Sequence, residues 1–454
     1  MAKIKTAFIC QNCGTSHLKW QGQCTGCNAW GTLVEEIVSG ATAKNSSPIA
    51  LNTQSKPLPL TEIEATTESR IPTKDEEFNR VLGGGIVDGS VVLIGGEPGI
   101  GKSTLLLQLA LQLGDKKILY VSGEESQNQV KLRASRLPFD NDQLFVASET
   151  NLEKVFNYFK EIQPEIVVID SIQTVYTEAL ESAPGSVSQV RESASKLIRL
   201  AKDTHVPIFL VGHITKEGSL AGPKVLEHMV DAVLSFEGDR HNQYRIIRTN
   251  KNRFGATSEL GIYHMTGQGL REVSNPSEIF LSGREEQFSG VAVGATLEGL
   301  RPLLIETQAL VSNMAYGTAQ RSSTGFDLRR LNMILAVLEK RCGFKMGIKD
   351  IFLNITGGLS VADPAMDLAI VVALVSSLHD VAVSPKAVFA SEVGLAGELR
   401  PISRLEQRIS EAEKLGFEEI FVYQKQLDGL EKNYSTIKLI GAQKLDEVFR
   451  NTFT

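Results

Sequence analysis

The chain has 454 residues, of which 42% are hydrophobic and 22% are charged, and this mixture excludes a wholly disordered or fibrous protein. The length predicts two to four domains, at roughly 150 residues each. The net charge of −6 excludes a uniformly basic nucleic-acid coat, although it allows a local basic groove. Because the sequence has neither a membrane-length apolar run nor a signal-peptide core at its start, we expect a cytoplasmic protein with no membrane partner.

Residues 1–36 predict a small zinc module. Cys10 and Cys13 form one pair, Cys24 and Cys27 form a second, and ten residues separate the pairs. This spacing lets four thiolates converge on one tetrahedral Zn²⁺ ion, and so short a segment needs the metal in order to fold. Two disulfides are the alternative, which a cytoplasmic location disfavours.

Both tryptophans of the chain, Trp20 and Trp30, fall within this module. We expect their rings to pack around the two cysteine pairs, because a short segment has few other apolar side chains with which to build a core. The alternative is a stacking surface for nucleic-acid bases or for a protein partner.

A linker and two larger units follow. Residues 37–66 are rich in Ser, Thr, Ala, Asn and Pro without a sustained period, and they predict a linker. Residues 67–275 alternate strand and helix patterns, which predicts an α/β domain with a mainly parallel sheet. Its predicted strands are Val91–Gly95, Ile118–Ser122, Ile166–Asp170, Ile208–Gly212, Ala232–Phe236 and Tyr244–Thr249, and its predicted helices are Ser103–Leu113 and Asn151–Ile162.

Residues 285–454 predict a second α/β unit. Here Ser403 is expected to cap a helix that ends at Gly416. The other predicted elements are helices Asp327–Cys342 and Asp363–Leu378 and strands Ile351–Ile355, Ile420–Tyr423 and Ile437–Ile440.

Residues 96–103 match the nucleotide-binding pattern G-x-x-x-x-G-K-[ST] between a predicted strand and a predicted helix. The glycines let backbone N–H groups surround phosphate oxygens, and the helix N-terminus adds a favourable dipole. We expect Lys102 to reach the β- and γ-phosphates of ATP, Ser103 to ligate Mg²⁺ and Thr104 to contact the α-phosphate. The predicted ATP/ADP-binding residues are Gly96, Glu97, Pro98, Gly99, Ile100, Gly101, Lys102, Ser103 and Thr104.

Three other strand ends carry groups suited to phosphate chemistry. Asp170 ends an apolar strand and is expected to hold Mg²⁺ together with Ser103. Glu124 is the first choice for polarising the attacking water and Glu125 the second, the alternative being a solvated turn. His213 is expected to sense the γ-phosphate and report hydrolysis to the next loop, unless it is merely structural.

The order of these motifs, followed by the pentapeptide at 251–255 (KNRFG), resembles the bacterial RadA family of DNA repair proteins, also called Sms. The resemblance covers essentially the whole chain, and the pentapeptide is highly specific for that family when it follows a phosphate loop. The resemblance implies a RecA-like ATPase core and a C-terminal domain similar to the Lon protease domain. It also implies a homo-hexameric, ATP-driven helicase on single-stranded DNA. Such a motor extends branched recombination intermediates by branch migration, together with RecA.

Arg245, Arg248, Lys251 and Arg253 are expected to crowd one strand end and the turn after it. Cations far from their own phosphate loop can act on the nucleotide of a neighbouring subunit, which is worth roughly 10³–10⁵ in hydrolysis rate. We therefore predict that Lys251 and Arg253 are such fingers. The alternative is a basic turn that is solvated or contacts only DNA.

Two segments are predicted to face DNA, because their small residues suit loops that follow a strand through a ring. One runs from Thr174 to about Arg191, and the other runs from Thr215 through Lys224. Lys216, Lys224 and Arg191 are candidate phosphate contacts.

Residues 357–367 and 397–402 resemble the Lon peptidase region, but the reactive groups differ. Ala365 occupies the position of the nucleophilic serine, and Glu406 falls near that of the catalytic lysine. Neither side chain can do that chemistry, so a scaffold without peptidase activity is predicted. Ser360 remains as a candidate nucleophile, but the sequence places no obvious lysine to activate it.

The C-terminal unit also has a basic stretch, which predicts a rim that guides DNA or a platform for ring assembly rather than an ordinary solvated helix face. Its members are Arg321, Arg329, Arg330, Lys340, Arg341, Lys345 and Lys349.

Two other functions compete with a DNA motor. Ala365 and Glu406 oppose an ATP-dependent protease. The four cysteines and the pentapeptide oppose an ATP-driven signalling assembly similar to the clock ATPase KaiC.

Overall fold

The computed structural model describes most of the chain and divides it into two compact units, residues 1–273 and 274–454. No helix among the described residues is long and apolar enough to span a membrane. The finer domain limits given above stay predictions. The described residues are 5–11, 14–38, 59, 69–214, 220–221, 225–238, 244–257, 259–273, 275, 277, 281, 288–314, 317–358, 360–430, 434 and 436–453.

The N-terminal module is a three-stranded antiparallel sheet with the order β2-β1-β3. Its strands are β1 (Lys5–Cys10), β2 (Ser16–His17) and β3 (Leu33–Val38). Few of the side chains described in this module are buried, and Cys10, Cys24 and Leu33 form their centre. A core this small is consistent with a fold that depends on a bound metal.

The rest of the first unit is built on a large twisted sheet. Its strands are β6 (Val91–Gly96), β7 (Ile118–Ser122), β8 (Leu144–Ser148), β9 (Ile166–Asp170), β10 (Ile208–Ile214), β11 (Leu220–Ala221), β12 (Ala232–Glu237), β13 (Tyr244–Asn252), β14 (Leu260–Thr266) and β15 (Gly269–Glu272), and a separate ribbon pairs β4 (Arg70–Ile71) with β5 (Ile86–Val87). The main order is β15-β14-β13-β12-β6-β10-β9-β7-β8. Strands β12 to β8 of this order are parallel, and β13, β14 and β15 extend the sheet antiparallel.

Helices cover both faces of the parallel strands, which explains why those strands read as continuous apolar runs. The helices of this unit are α1 (Glu76–Leu82), α2 (Lys102–Gln112), α3 (Gln127–Ala134), α4 (Leu152–Ile162), α5 (Val187–Thr204) and α6 (Val225–Met229). One hydrophobic cluster joins the sheet to α1 and α2, and another joins it to α4 and α5. The predicted α/β layers are therefore confirmed.

The second unit has a mixed sheet with the order β18-β19-β17-β16-β20-β23-β24. Its strands are β16 (Val291–Glu298), β17 (Arg301–Asn313), β18 (Arg321–Thr324), β19 (Lys349–Ile355), β20 (Ala387–Ala390), β21 (Glu392–Val393), β22 (Leu399–Arg400), β23 (Glu419–Tyr423) and β24 (Lys438–Ala442). Its helices are α7 (Leu328–Cys342), α8 (Asp367–His379), α9 (Leu405–Lys414) and α10 (Leu445–Thr452). The apolar helix α8 lies against β16 and β17 and is almost wholly buried.

The predicted cap of helix α9 is wrong at its N-terminus. Arg404, with a φ of 52°, immediately precedes the helix and makes no side-chain capping bond. The Ser403 backbone carbonyl instead accepts a hydrogen bond from Nε of the buried Arg408, at 3.1 Å. The other end agrees with the prediction, since Gly416 adopts a left-handed φ of 76° just after the helix.

Arg330 does not belong to an exposed basic rim. Its guanidinium makes a bidentate pair with Asp367, whose carboxylate is fully buried, and the Nε–Oδ1 distance is 2.7 Å. Glu392 lies 3.8 Å from the same guanidinium. Arg329, the preceding residue, is exposed. Of these two adjacent arginines, only Arg329 is placed for contact with a ligand.

Candidate functional site

The phosphate loop connects the end of β6 to the start of α2, and its glycines are required by its shape. Gly99 and Gly101 have left-handed φ values of 77° and 119°. A Cβ atom at Gly96 would lie 2.8 Å from the backbone oxygen of Phe236. Ser103 and Thr104 occupy the first turn of α2, where the helix dipole favours an anion.

Lys102 points back into this loop. Its Nζ donates to the backbone oxygens of Gly96, at 2.7 Å, and Glu97, at 2.9 Å. Burial lowers the pKa of Lys102 to about 8, although Asp170, Glu124 and Glu97 favour its charged form. The ammonium thus lies within the loop where phosphate oxygens are expected.

Asp170 is fixed from the neighbouring strand. Tyr120 donates its hydroxyl hydrogen to Oδ2 of Asp170 at 2.6 Å, and Ser122 is the strand-pairing partner of Asp170. Burial raises the pKa of Tyr120 well above its usual value, so the phenol stays a donor. The structure therefore places the predicted Mg²⁺ ligand, with a defined orientation, at the sheet edge that carries the phosphate loop.

The two candidate acids at 124 and 125 have different partners. Ser171 Oγ donates to Glu124 Oε1 at 3.0 Å, next to Asp170. Glu125 is turned toward Arg133, with an N–O distance of 2.7 Å. Glu124 is also one of the acids that favour the charged form of Lys102. This geometry favours Glu124 for activating water.

His213 lies on β10, where its backbone pairs with Gly96 of the phosphate loop. Its side chain lies outside the described residues, as do Lys216 and Lys224. Thr174 begins the first predicted DNA-facing segment, and α5 occupies the end of that segment, with Arg191 exposed on it.

The basic residues near the pentapeptide do not crowd one strand end as predicted. Arg245 lies at the other end of β13 from Lys251, where it is buried. Its Nε donates to the Ile100 backbone oxygen in the phosphate loop at 3.0 Å. The sequence pattern missed this contact, because it joins positions 145 residues apart. Arg248 lies 3.4 Å from Glu237.

Lys251 and Arg253 contact their own chain. Lys251 Nζ donates to three backbone oxygens at the C-terminal end of α6, those of Glu227, His228 and Val230, at 2.8, 3.1 and 2.8 Å. Arg253 pairs with Asp231 at 3.2 Å, although 55% of its side chain is exposed. Burial lowers the pKa of Lys251.

Three of the four predicted zinc ligands converge. The Sγ atoms of Cys10, Cys24 and Cys27 lie within 4.8 Å of one another, and Cys13 falls outside the described residues. The Cys10 and Cys27 sulfurs are 3.7 Å apart, which is too long for a disulfide and suits two ligands of one ion. The residues present therefore fit Zn²⁺.

His17 supports the same site, and the sequence pattern missed it. Its ring is buried, and its Nε2 lies 3.5 Å from Cys24 Sγ. The Gly26 N–H also points to that sulfur, at 3.3 Å. Such hydrogen bonds, made by residues that do not themselves bind the metal, fix the orientation of the residues that do.

The tryptophans do not pack around the cysteine pairs as predicted. Trp20 is 62% exposed and Trp30 is 73% exposed. The small module leaves both indoles at its surface.

The turn that resembles the Lon nucleophile site is buried at its central residue, Ala365. Ala365 is fully buried, and its N–H donates to Asp363 Oδ1 at 3.0 Å. The same carboxylate pairs with the fully buried Arg408 at 2.7 Å. Glu406 lies in the first turn of α9, and Ser360 is exposed. Buried contacts thus surround the position where Lon has its nucleophile.

Zinc content gives a test of the N-terminal site. We expect one Zn²⁺ per chain, and a Cys24→Ser change should abolish it, because a three-sulfur site binds far more weakly. Hydrogen exchange should then lose protection in β1 to β3 while the large sheet keeps it, since the module has little core of its own. Cys342→Ser, in the other unit, is the matched control. Full protection of β1 to β3 without zinc would contradict the site.

Family models match three separate parts of the chain. Residues 8–35 match a rubredoxin metal binding domain, residues 56–219 an AAA domain, and residues 307–426 subunit ChlI of Mg-chelatase. A KaiC-like protein of Pyrococcus horikoshii OT3 aligns with 46% of this chain and 100% of its own length, at 19% identity and a TM-score of 0.39. That last likeness is too weak to bear on function.

Curated relatives match along the whole chain. The DNA repair protein RadA of Bacillus subtilis (strain 168) is 50% identical over 456 residues, covering 100% of this chain and 99% of its own. The protein of the same name from Halalkalibacterium halodurans is 49% identical over 455 residues, with 100% and 99% coverage. These matches confirm the resemblance and the fold class inferred from the motifs. The chain belongs to the RadA family of DNA repair proteins, with a zinc ribbon, a RecA-like ATPase domain and a Lon-like C-terminal domain.

Proposed function

We propose that the chain is a DNA-dependent ATPase and helicase that moves along single-stranded DNA as a homo-hexameric ring. It would extend branched recombination intermediates by branch migration, together with RecA. The proposal rests on family membership and on one observation: a continuous hydrogen-bonded path from the candidate catalytic acid to the candidate DNA-facing segment.

That path has two steps. Ser171 Oγ donates to Glu124, and Thr174 Oγ1 donates to the Ser171 backbone oxygen at 2.8 Å. Thr174 is the first residue of the segment expected to face DNA. A Cβ atom at Gly123 would lie 1.9 Å from Thr174 Oγ1, so the two turns are tightly apposed. A shift of Glu124 during hydrolysis would therefore displace the start of that segment.

The residues around the loop have distinct roles in hydrolysis. Lys102 holds the β- and γ-phosphates and neutralises charge that develops as the bond breaks. Ser103 and Asp170 would hold Mg²⁺, which supplies further charge neutralisation when bound. Glu124 orients the attacking water, and Tyr120 keeps Asp170 in position. Arg245 supports the loop from β13 through the Ile100 backbone oxygen.

Lys251 and Arg253 are proposed to reach the nucleotide of the neighbouring subunit in the ring. Arg253 can leave Asp231 without stranding this buried carboxylate, because Lys202 Nζ, at 2.8 Å, and the Val91 N–H, at 3.0 Å, also donate to it. Lys251 then carries the displacement to the C-terminal end of α6.

The direct test is the ATPase rate with and without single-stranded DNA at two salt concentrations, for the wild type and Lys102→Ala. We expect strong stimulation that weakens at high salt, because DNA contacts release counterions. Lys102→Ala should lose both basal and stimulated hydrolysis. ATPase activity that is indifferent to DNA would contradict the proposal and favour a protein-directed ATPase.

The adjacent arginines of α7 separate DNA contact from folding. Arg329→Glu should weaken binding to labelled single-stranded DNA and reduce the salt slope by about 0.7, the value for one lost phosphate contact. Arg330→Met should instead destabilise the C-terminal unit by about 3–5 kcal/mol, because it leaves Asp367 buried without its partner. Anisotropy titrations and thermal unfolding distinguish the two outcomes. Unchanged affinity and slope for Arg329→Glu would exclude the guiding rim.

A further inference from the structure

We infer that the zinc ribbon carries a base-stacking platform for single-stranded DNA, formed by the exposed indoles of Trp20 and Trp30. The inference rests on the proposed function, because it takes DNA as the ligand. It adds a contact site outside the ATPase sheet and assigns the ribbon a direct role in holding the strand.

The exposure of these rings is unusual for so small a module. Tryptophan offers a large apolar surface, and the ribbon has few other side chains with which to build a core. Yet both tryptophans of the chain lie here, 62% and 73% exposed, while Cys10, Cys24 and Leu33 fill the centre. Single exposed apolar residues need no explanation, but two indoles together on one small module indicate a surface that is used.

The backbone at Gly22 supports one face of the Trp30 ring. A Cβ atom at Gly22 would lie 3.3 Å from the Trp30 ring, so this indole rests against the Gly22 backbone. The Gly31 N–H donates to the Gly22 oxygen at 2.8 Å, which fixes the two segments together. Trp20 is only two residues before Gly22, so its backbone lies near the segment that supports the Trp30 ring. A ring backed on one side and open to solvent on the other is suited to stack on a base.

The surroundings favour nucleic acid over a protein partner. Lys19 is exposed beside Trp20 and can contact a phosphate. Arg191 Nη1 donates to the Gly14 backbone oxygen at 3.3 Å, which joins the ribbon to α5 at the end of the candidate DNA-facing segment. Exposed rings with a neighbouring lysine, on a ribbon that contacts α5 of the predicted DNA-facing segment, match the way proteins bind single strands without sequence preference.

The chain supplies its own probe, because the intrinsic tryptophan fluorescence of the full-length protein arises only from the ribbon. An oligothymidylate should quench this fluorescence, whereas an abasic oligomer of the same length should not, because stacking needs a base. Trp20→Leu and Trp30→Leu should each weaken binding of labelled oligothymidylate by roughly fivefold to a hundredfold. Leu18→Ser, at a neighbouring residue that is 92% exposed, is the matched control and should leave the affinity unchanged. Unchanged zinc content shows that each variant folds.

The possible results distinguish failure of the stacking platform from failure of the proposed function. Equal quenching by both oligomers, or unchanged affinity in both Leu variants, overturns the platform while leaving DNA-stimulated ATPase activity intact. Wild-type ATPase activity that DNA does not stimulate overturns the proposed function itself. A spectral shift on adding RecA without DNA, with no response to the oligomer, assigns the rings to a protein partner and also overturns the platform.

Discussion

The burial of Lys102 in the phosphate loop is the constraint on which the rest of the ATPase site depends. A buried ammonium is costly unless polar groups surround it, and here the Gly96 and Glu97 backbone oxygens accept its hydrogen bonds. That arrangement requires a sharply turned loop, which only glycine allows at positions 99 and 101. It also requires acids nearby that favour the charged form, and Asp170 and Glu124 satisfy this need.

The parallel register of the sheet brings those groups together. Ser122 is paired with Asp170, and Gly96 is paired with His213, so four strand ends meet at one edge. Ligand sites of open α/β sheets form at this edge. Ser171 donates a hydrogen bond to Glu124 and accepts one from Thr174. The same edge therefore connects the candidate catalytic acid to the first residue of the candidate DNA-facing segment.

Sequence patterns predicted well what depends on local rules. Strands such as Ile166–Asp170 were predicted at their observed bounds, because buried parallel strands are apolar throughout. Long-range pairings were not predictable: Tyr120 with Asp170, Arg245 with Ile100, and Arg330 with Asp367 each join distant segments. The prediction that Trp20 and Trp30 pack around the cysteine pairs is wrong, because large apolar side chains are not always buried.

We propose that Glu124, held in place by its hydrogen bond from Ser171, activates the water that attacks ATP, whereas Glu125 forms an ion pair with Arg133. The most direct measurement is single-turnover ATP hydrolysis by Glu124→Gln and Glu125→Gln, with nucleotide binding measured alongside. Glu124→Gln should lose about 10²–10⁴ in rate and still bind ATP, because general-base catalysis contributes that much. Glu125→Gln should stay within a few-fold of the wild type. The reverse order, or equal losses in both variants, would contradict the account.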